Sequence, residues 1–347
     1  MQQLQTYWQE FLIHAKGVLL YPLNPDNRVY VLYLATSFLI AFWIYARKRR
    51  VSSEVDGETT FFGFLFPKKV WRHPSAWLDV RYFFFHMLIG HFLLLGLLAG
   101  SAAVSYYWAS GGFDPSTVED GKHLTGWVGA TITIVYMFVL FLVLDFIGFY
   151  CHYLQHKIPL LWQFHKVHHS AEVMHPISNF REHPVDNLFY HLAIGLGSGA
   201  VTGFTFRILG YHPNIPVILG VPLLMFLFNA VGYNLRHSHI WLRWPGVWSK
   251  VFPSPAHHHV HHSCHPDHLD KNFAFMFPVW DVLFGTYVMP DDNRDVKFGV
   301  TEKDKGQELN TCMRLYFVPF KDAWTLMRRK LRAKHNAQQP HSSEPAE

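Results

Sequence analysis

Residues 145–169 read Asp145-Phe-Ile-Gly-Phe-Tyr-Cys-His152-Tyr-Leu-Gln-His156-Lys-Ile-Pro159-Leu-Leu-Trp162-Gln-Phe-His165-Lys-Val-His168-His169. An apolar run ends in HxxxH, a proline intervenes, and HxxHH follows. A helix advances ~100° per residue, so positions i, i+3 and i+4 share a face and both spacings aim their imidazoles in one direction. Pro159 marks a break, which puts the second group on a second helix, with Trp162 as its anchor at a membrane interface. His258, His261 and His262 repeat the HxxHH spacing further on. Imidazole serves iron, copper and zinc alike, and these histidines exceed the three or four ligands one ion takes, so two metals are expected.

Working outward, the chain has 347 residues, of which 50% are hydrophobic. Apolar runs at 29–45, 82–109 and 127–150 are each close to or above the ~20 residues that cross a hydrocarbon core. Two weaker runs, 188–209 and 215–233, are separated only by Gly210 to Asn214, which predicts a helical hairpin. The expected fold is therefore all-α, a polytopic membrane helical bundle of three spans plus that hairpin, with a histidine-rich metal-binding cap. Arg47, Lys48, Arg49 and Arg50 follow the first span, and short basic flanks stay in the cytoplasm. The loop holding Asp114, Glu119 and Asp120 then lies outside, and every histidine cluster falls on the cytoplasmic side. The organisation read from this is an N-terminal interfacial segment at 1–28, spans one to three at 29–150, a catalytic region at 145–287 that includes the hairpin at 188–233, and a cytosolic basic tail at 288–347.

Cys151, Cys264 and Cys312 are widely spaced with no CxxC pair, which argues against a disulfide scaffold, a thiolate zinc site or an iron–sulfur cluster and points to a reducing compartment. Met1 to Glu10 is polar without a basic start, unlike a cleaved signal peptide. The net charge of +5 suits a membrane surface, and no nucleic-acid partner is expected. Arg328, Arg329, Lys330, Arg332 and Lys334, interleaved with Trp324, Met327 and Leu331, predict a basic amphipathic helix on anionic headgroups or a solvated terminal helix. Residues 335–347 read as a disordered tail.

His237, in Asn234-Leu-Arg-His-Ser-His239, adds a ninth candidate ligand at the same membrane face. His183 and His239 are further candidates, as ligands or as groups that support ligands. Asp145 lies seven residues before His152, on the same helix face; it either accepts the second ring N–H of a ligand histidine or pairs with an arginine. His14, His73, His86, His91, His123, His191, His212, His335 and His341 receive no role, and His257, His259, His265 and His268 are passengers in the second histidine tract.

Taken together these residues resemble the fatty acid hydroxylase superfamily, which includes sterol desaturases and lipid hydroxylases. The similarity runs from about Asp145 to Tyr287. It rests on Asp145 with His152 and His156; on Trp162, His165, His168, His169 and Ser170; on His183-Pro184 and His237-Ser238; on Pro255 with His258, His261 and His262; and on Asn272-Phe273 and Trp280-Asp281-Val-Leu-Phe-Gly-Thr286. Phe149 and Tyr153 stand where many members carry tyrosine and arginine, and His239 where many bacterial members carry asparagine. The resemblance implies a non-haem di-iron centre held by histidines, using O2 to hydroxylate or desaturate a C–H bond of a membrane lipid. An external reductase, ferredoxin or cytochrome is expected to supply electrons. Two other readings compete. A membrane metal transporter needs coordinating groups at mid-span, where only His86, His91 and His191 lie. A zinc-dependent membrane hydrolase usually has three protein ligands and a nearby acid, and HExxH is absent. Oligomeric state has no signature in the sequence.

Overall fold

A computed structural model describes residues 2–112, 124–291 and 296–338. The loop with Asp114, Glu119 and Asp120, together with His123 and His341, lies outside the described residues, as does the side chain of His91. In chain order the helices are α1 (Gln2–Leu19), α2 (Val31–Arg49), α3 (Phe61–Leu65), α4 (Lys68–Trp71), α5 (Pro74–Phe85), α6 (Phe92–Ala109), α7 (Gly126–Lys157), α8 (Pro159–His169), α9 (Pro184–Leu209), α10 (Leu223–Ala230), α11 (Trp248–Val251), α12 (Pro255–His261), α13 (Val279–Phe284) and α14 (Cys312–Gln338). A π-helical turn, His86–His91, joins α5 to α6, so one helical run covers 74–109. A two-stranded antiparallel hairpin, β1 (Val217–Ile218) with β2 (Val221–Pro222), is the sheet content among the described residues.

Helix boundaries follow local chemistry. α5, α8, α9 and α12 each begin on a proline, whose missing N–H costs nothing there. His73 and His183 cap α5 and α9 by accepting from Ser75 N and Val185 N through Nδ1. α7 stops at Ile158, the residue before Pro159. α9 stops at Gly210, whose φ of 76° is a left-handed conformation that glycine adopts without strain.

Among the described residues α2, α7 and α9 are long and apolar enough to cross a membrane. The 32 residues of α7 extend about 48 Å, longer than the ~30 Å hydrocarbon core, and His152 and His156 lie in its last two turns. α9 packs along α6 through Gly195, Gly199 and Gly203. A Cβ at Gly203 would lie 2.7 Å from Tyr106 O, and one at Gly199 would collide with the Ala102 carbonyl. Small residues at four-residue spacing let two apolar helices touch backbone to backbone, where dispersion is the main attraction available in lipid.

The fifth predicted span does not form a membrane-length helix. Within 215–233 the helix is α10, eight residues long and about 12 Å. Pro213, Pro216 and Pro222 remove backbone donors, and Gly220 and Gly232 take positive φ, so the apolar run folds as a short hairpin and a stub of helix. Its residues Leu223, Leu224 and Phe228 pack around Met137 and Phe141 of α7 and Met276. Only part of this apolar run is buried against protein, and Val217, Leu219, Leu227 and Val231 stay exposed. At the C-terminal end, α14 runs to Gln338 and so overlaps the start of the predicted tail.

Candidate metal centre

The nine predicted ligands come together in two adjacent groups. His152, His156, His165, His169 and His261 form one, and His168, His237, His258 and His262 the other; within each, the candidate ligand atoms all lie within 4.8 Å of one another. α7, α8, α12 and the turn after α10 deliver them. Each HxxHH divides between the groups in the same way. Positions i and i+4, offset by ~40° on the helix, stay together, while i+3, on the other side of i by ~60°, crosses over. Thus His165 and His169 share one group while His168 joins the other, and His258 and His262 share the second while His261 joins the first. The sequence expectation of one common direction holds only for i and i+4. The groups abut, with His169 stacked on His262 at 4.5 Å between ring centroids.

Hydrogen bonds to the outward nitrogens set the tautomers. His152 Nδ1 donates to Phe273 O at 3.1 Å and His261 Nδ1 to Lys271 O at 2.9 Å. His165 Nδ1 lies 2.9 Å from Asp186 Oδ2, and His156 Nδ1 3.3 Å from Asp270 Oδ1. A carbonyl or carboxylate can only accept, so the proton sits on Nδ1 and the Nε2 lone pair faces inward, the arrangement that outer partners give to ligand histidines. His156 Nε2 and His165 Nε2 stand 3.1 and 3.2 Å from His169 Nε2. In the second group His237 Nε2 and His262 Nε2 stand 2.9 and 3.0 Å from His258 Nε2, and Ser178 Oγ holds His237 Nδ1 at 3.0 Å. Among the described residues, buried His152 Nε2, His261 Nε2, His168 Nδ1 and His262 Nδ1 have no hydrogen-bond partner. Lone pairs converging at such distances, with the ring protons of His152, His156, His165 and His261 committed outward, fit a cation between them, and the donor set fits two.

Electrostatics favour the ligand form. Burial pushes His165 down to about 3 and His168 down to about 4, and holds His169, His237, His258, His261 and His262 well below the usual imidazole value, with neighbouring imidazoles adding to the effect in the last five. At neutral pH these rings are neutral.

A non-helical segment, 273–277, closes the site and is held by three side chains. Asp281 accepts from Phe273 N and Ala274 N, both at 2.8 Å, and from Thr286 Oγ1 at 2.6 Å. Asp145 accepts from Met276 N at 2.7 Å, Phe277 N at 3.0 Å and Trp280 Nε1 at 3.0 Å. Arg236 donates to Phe275 O at 2.9 Å and Ala274 O at 3.3 Å, and its guanidinium lies over the Phe275 ring. Asp145 therefore neither orients a ligand histidine nor pairs with an arginine, as the sequence had suggested. It staples a loop to α7, and that loop's Phe273 carbonyl orients His152.

Three other predicted roles differ as well. His183 caps α9 through Nδ1 and donates from Nε2 to Tyr316 O at 3.0 Å, away from both groups. His239 Nε2 donates to Phe64 O at 2.7 Å and is also outside them. Trp162 packs its ring against His156 and His169 and donates to Asp304 Oδ1 at 2.8 Å, so it walls the site rather than anchoring a membrane interface. Asp186, which also accepts from Gln155 Nε2 at 2.6 Å, went unnoticed in the sequence, as did Asp270 and Ser178. Their partners are distant in sequence, and no spacing marks them. His175 was overlooked too. With Arg181 it grips buried Asp79, and Arg181 reaches on to Ser75 and Ser170, tying α5 to the end of α8.

Fold and site together define a class, a helical protein with membrane-length apolar helices and a chamber of nine inward imidazoles in two adjoining sets. Residues 137–286 match the family model described as fatty acid hydroxylase. Over that region the chain resembles the fatty acid hydroxylase family. It is 28% identical over 182 residues to the alkylglycerol monooxygenase of Danio rerio, covering 51% of this chain and 35% of that protein. It is 32% identical over 171 residues to the ornithine lipid hydroxylase OlsE of Rhizobium tropici, covering 48% and 46%, and 26% identical over 166 residues to the alkylglycerol monooxygenase of Homo sapiens, covering 46% and 32%. The chain thus spans from about a third to just under half of the length of these relatives. No solved structure matches it.

Proposed function

We propose that this chain is an integral membrane oxidoreductase that hydroxylates a C–H bond of a lipid, with two iron ions held by the nine imidazoles on the cytoplasmic side. The observation that carries the proposal is the pair of adjoining imidazole groups, five and four strong, at the end of an apolar helix. His152, His156, His165, His169 and His261 would hold one ion, and His168, His237, His258 and His262 the other. Iron bound there would supply the activation of O2 that C–H oxidation needs. The balance is R–H + O2 + 2 e⁻ + 2 H⁺ → R–OH + H2O, so an external reductase, ferredoxin or cytochrome provides two electrons per turnover. Hydroxylation is favoured over desaturation because the relatives' names are those of a monooxygenase and a hydroxylase.

The chain's own residues prepare the chemistry. Outward acceptors hold the inward nitrogens of His152, His156, His165 and His261 unprotonated, so metal uptake at these rings does not wait on proton loss at neutral pH. The 273–277 segment, tied by Asp145, Asp281 and Arg236, and the Trp162 ring wall off the groups from water. Exposed Ile134, Phe138 and Leu142 on α7, and Phe204 and Ile208 on α9, present an apolar surface to lipid. A hydrocarbon chain beside α7 would reach the level of His152 without crossing water, which removes the desolvation cost of delivering it.

The test combines elemental analysis with lipid profiling. Protein purified anaerobically with iron supplied should carry two iron ions per chain, and His156→Ala and His262→Ala should each lower that count. Cells expressing the wild-type chain under 18O2 should accumulate a labelled hydroxylated lipid that cells expressing the variants lack. Two zinc ions in place of iron, or a new unlabelled double bond as the product, would refute the proposal as stated.

A further inference from the structure

α14 carries an apolar ridge that its own fold leaves uncovered. Met313, Phe317, Phe320, Trp324, Met327 and Leu331 are 38–65% exposed, and their 4-3-4-3-4 spacing confines them to a stripe ~80° wide on one side of the helix. The far side and one flank are what pack. Leu315 and Ala323 are buried, Tyr316 meets Phe85 of α5 at 5.0 Å, and Asp322 pairs at 2.7 Å with Lys166 of α8. From Met327 to Asn336 every residue is exposed, so the last turns project from the body. An isolated helical end of that length is marginal in water. Something covers it.

We infer that α14 lies in the headgroup layer of an anionic membrane leaflet, with Phe317, Trp324, Met327 and Leu331 turned into the acyl boundary. Charge selects this occupant. α14 carries seven basic residues, Arg314, Lys321, Arg328, Arg329, Lys330, Arg332 and Lys334, and a single acid, Asp322, which is already paired with Lys166. A second copy of the chain is disfavoured by the same charges. The residues flanking the ridge on one side are Arg314, Lys321 and Arg328, and on the other Tyr316, Ala323 and Lys330, so a coiled-coil pairing would face basic against basic or neutral with no opposite charge to relieve it. The position suits a membrane as well. Phe320 packs at 5.3 Å against His183, which caps α9, so the ridge runs past the N-terminal end of an apolar helix. Arg328 lies over the Trp324 ring at 5.6 Å, a pairing that keeps a cation beside an interfacial indole. This inference rests on reading α7 and α9 as membrane spans.

The test is nitroxide scanning of the full chain in vesicles, in a Cys264→Ser, Cys312→Ser background. Labels at Trp324→Cys and Leu331→Cys are compared with Thr325→Cys and Arg329→Cys, and with Phe138→Cys on α7 as the control for the membrane reading. In phosphatidylcholine mixed with phosphatidylglycerol, labels at 324 and 331 should collide readily with O2 and poorly with a water-soluble nickel complex, as should the label at 138; those at 325 and 329 should show the reverse. Each basic residue brought to the surface is worth about fivefold in partitioning, so the triple change Arg328→Glu, Arg329→Glu, Arg332→Glu should return 324 and 331 to water and leave 138 unchanged. Nickel-accessible labels at 324 and 331 in anionic vesicles, or dipolar broadening between copies at those sites, would overturn the inference. A nickel-accessible label at 138 would instead overturn the membrane reading beneath it.

Discussion

Replacing Asp145 by alanine removes one side chain and orphans three donors, buried Met276 N and part-buried Phe277 N and Trp280 Nε1, now held at 2.7–3.0 Å. A hydrogen bond to a charged acceptor contributes about 1.5–3 kcal/mol, and a buried donor left unmade costs a comparable amount. Since the three share one acceptor and do not add fully, the expected loss is about 4–6 kcal/mol. That is a large share of the 5–15 kcal/mol typical of a folded domain. The assay is denaturant unfolding of the purified protein in detergent, read alongside metal content. Asp145→Ala should lower the midpoint strongly, with metal lost only as the fold is lost, and Asp145→Asn should fall between because one carbonyl oxygen remains. Unchanged stability together with a large drop in metal content would refute the reasoning, since it would mean that Asp145 acts on the histidines directly.

Asp186→Asn keeps an oxygen near His165 but removes the charge that fixes its tautomer, and metal affinity should fall about 10–100-fold, read by competition with a chelator. His261→Ala and His168→Ala should each weaken a different ion despite lying in opposite HxxHH motifs from their partners, so that spectroscopic titration of each variant shows loss from the group named for it above. Gly199→Leu forces a side chain into the Ala102 carbonyl and should separate α6 from α9, lowering the unfolding midpoint with metal stoichiometry intact in the surviving folded fraction.

Local physics made much of the site legible from sequence. HxxxH and HxxHH announce themselves because helix pitch brings i and i+4 to one side with i+3 close by, and the eight histidines picked out this way stand in the two groups with His237, which was read from its place after the 215–233 run. What spacing could not supply was the partner of each outward nitrogen. Asp186, Asp270, Ser178 and the Phe273 and Lys271 carbonyls come from other segments, and tertiary packing alone places them. The misreading of Asp145 has the same origin, because helical periodicity relates it to His152 while its ligands come from 276–280. The 215–233 run misled for a different reason. Hydropathy reports a preference for leaving water and does not distinguish lipid from protein as the destination, whereas the three prolines carried the information that no long helix could form.

His168 and His169 are consecutive residues, and so are His261 and His262, yet each pair straddles the two groups. Neither α8 nor α12 can turn about its axis without moving one imidazole in each group together. The two halves of the chamber are geared to each other through single peptide bonds, so their separation behaves as one mechanical coordinate. A deletion of one residue between the first two histidines of either motif would turn the last two rings by about 100°, carrying the final one toward the other group and the one before it away from both, and tuning of one half has to carry the other along.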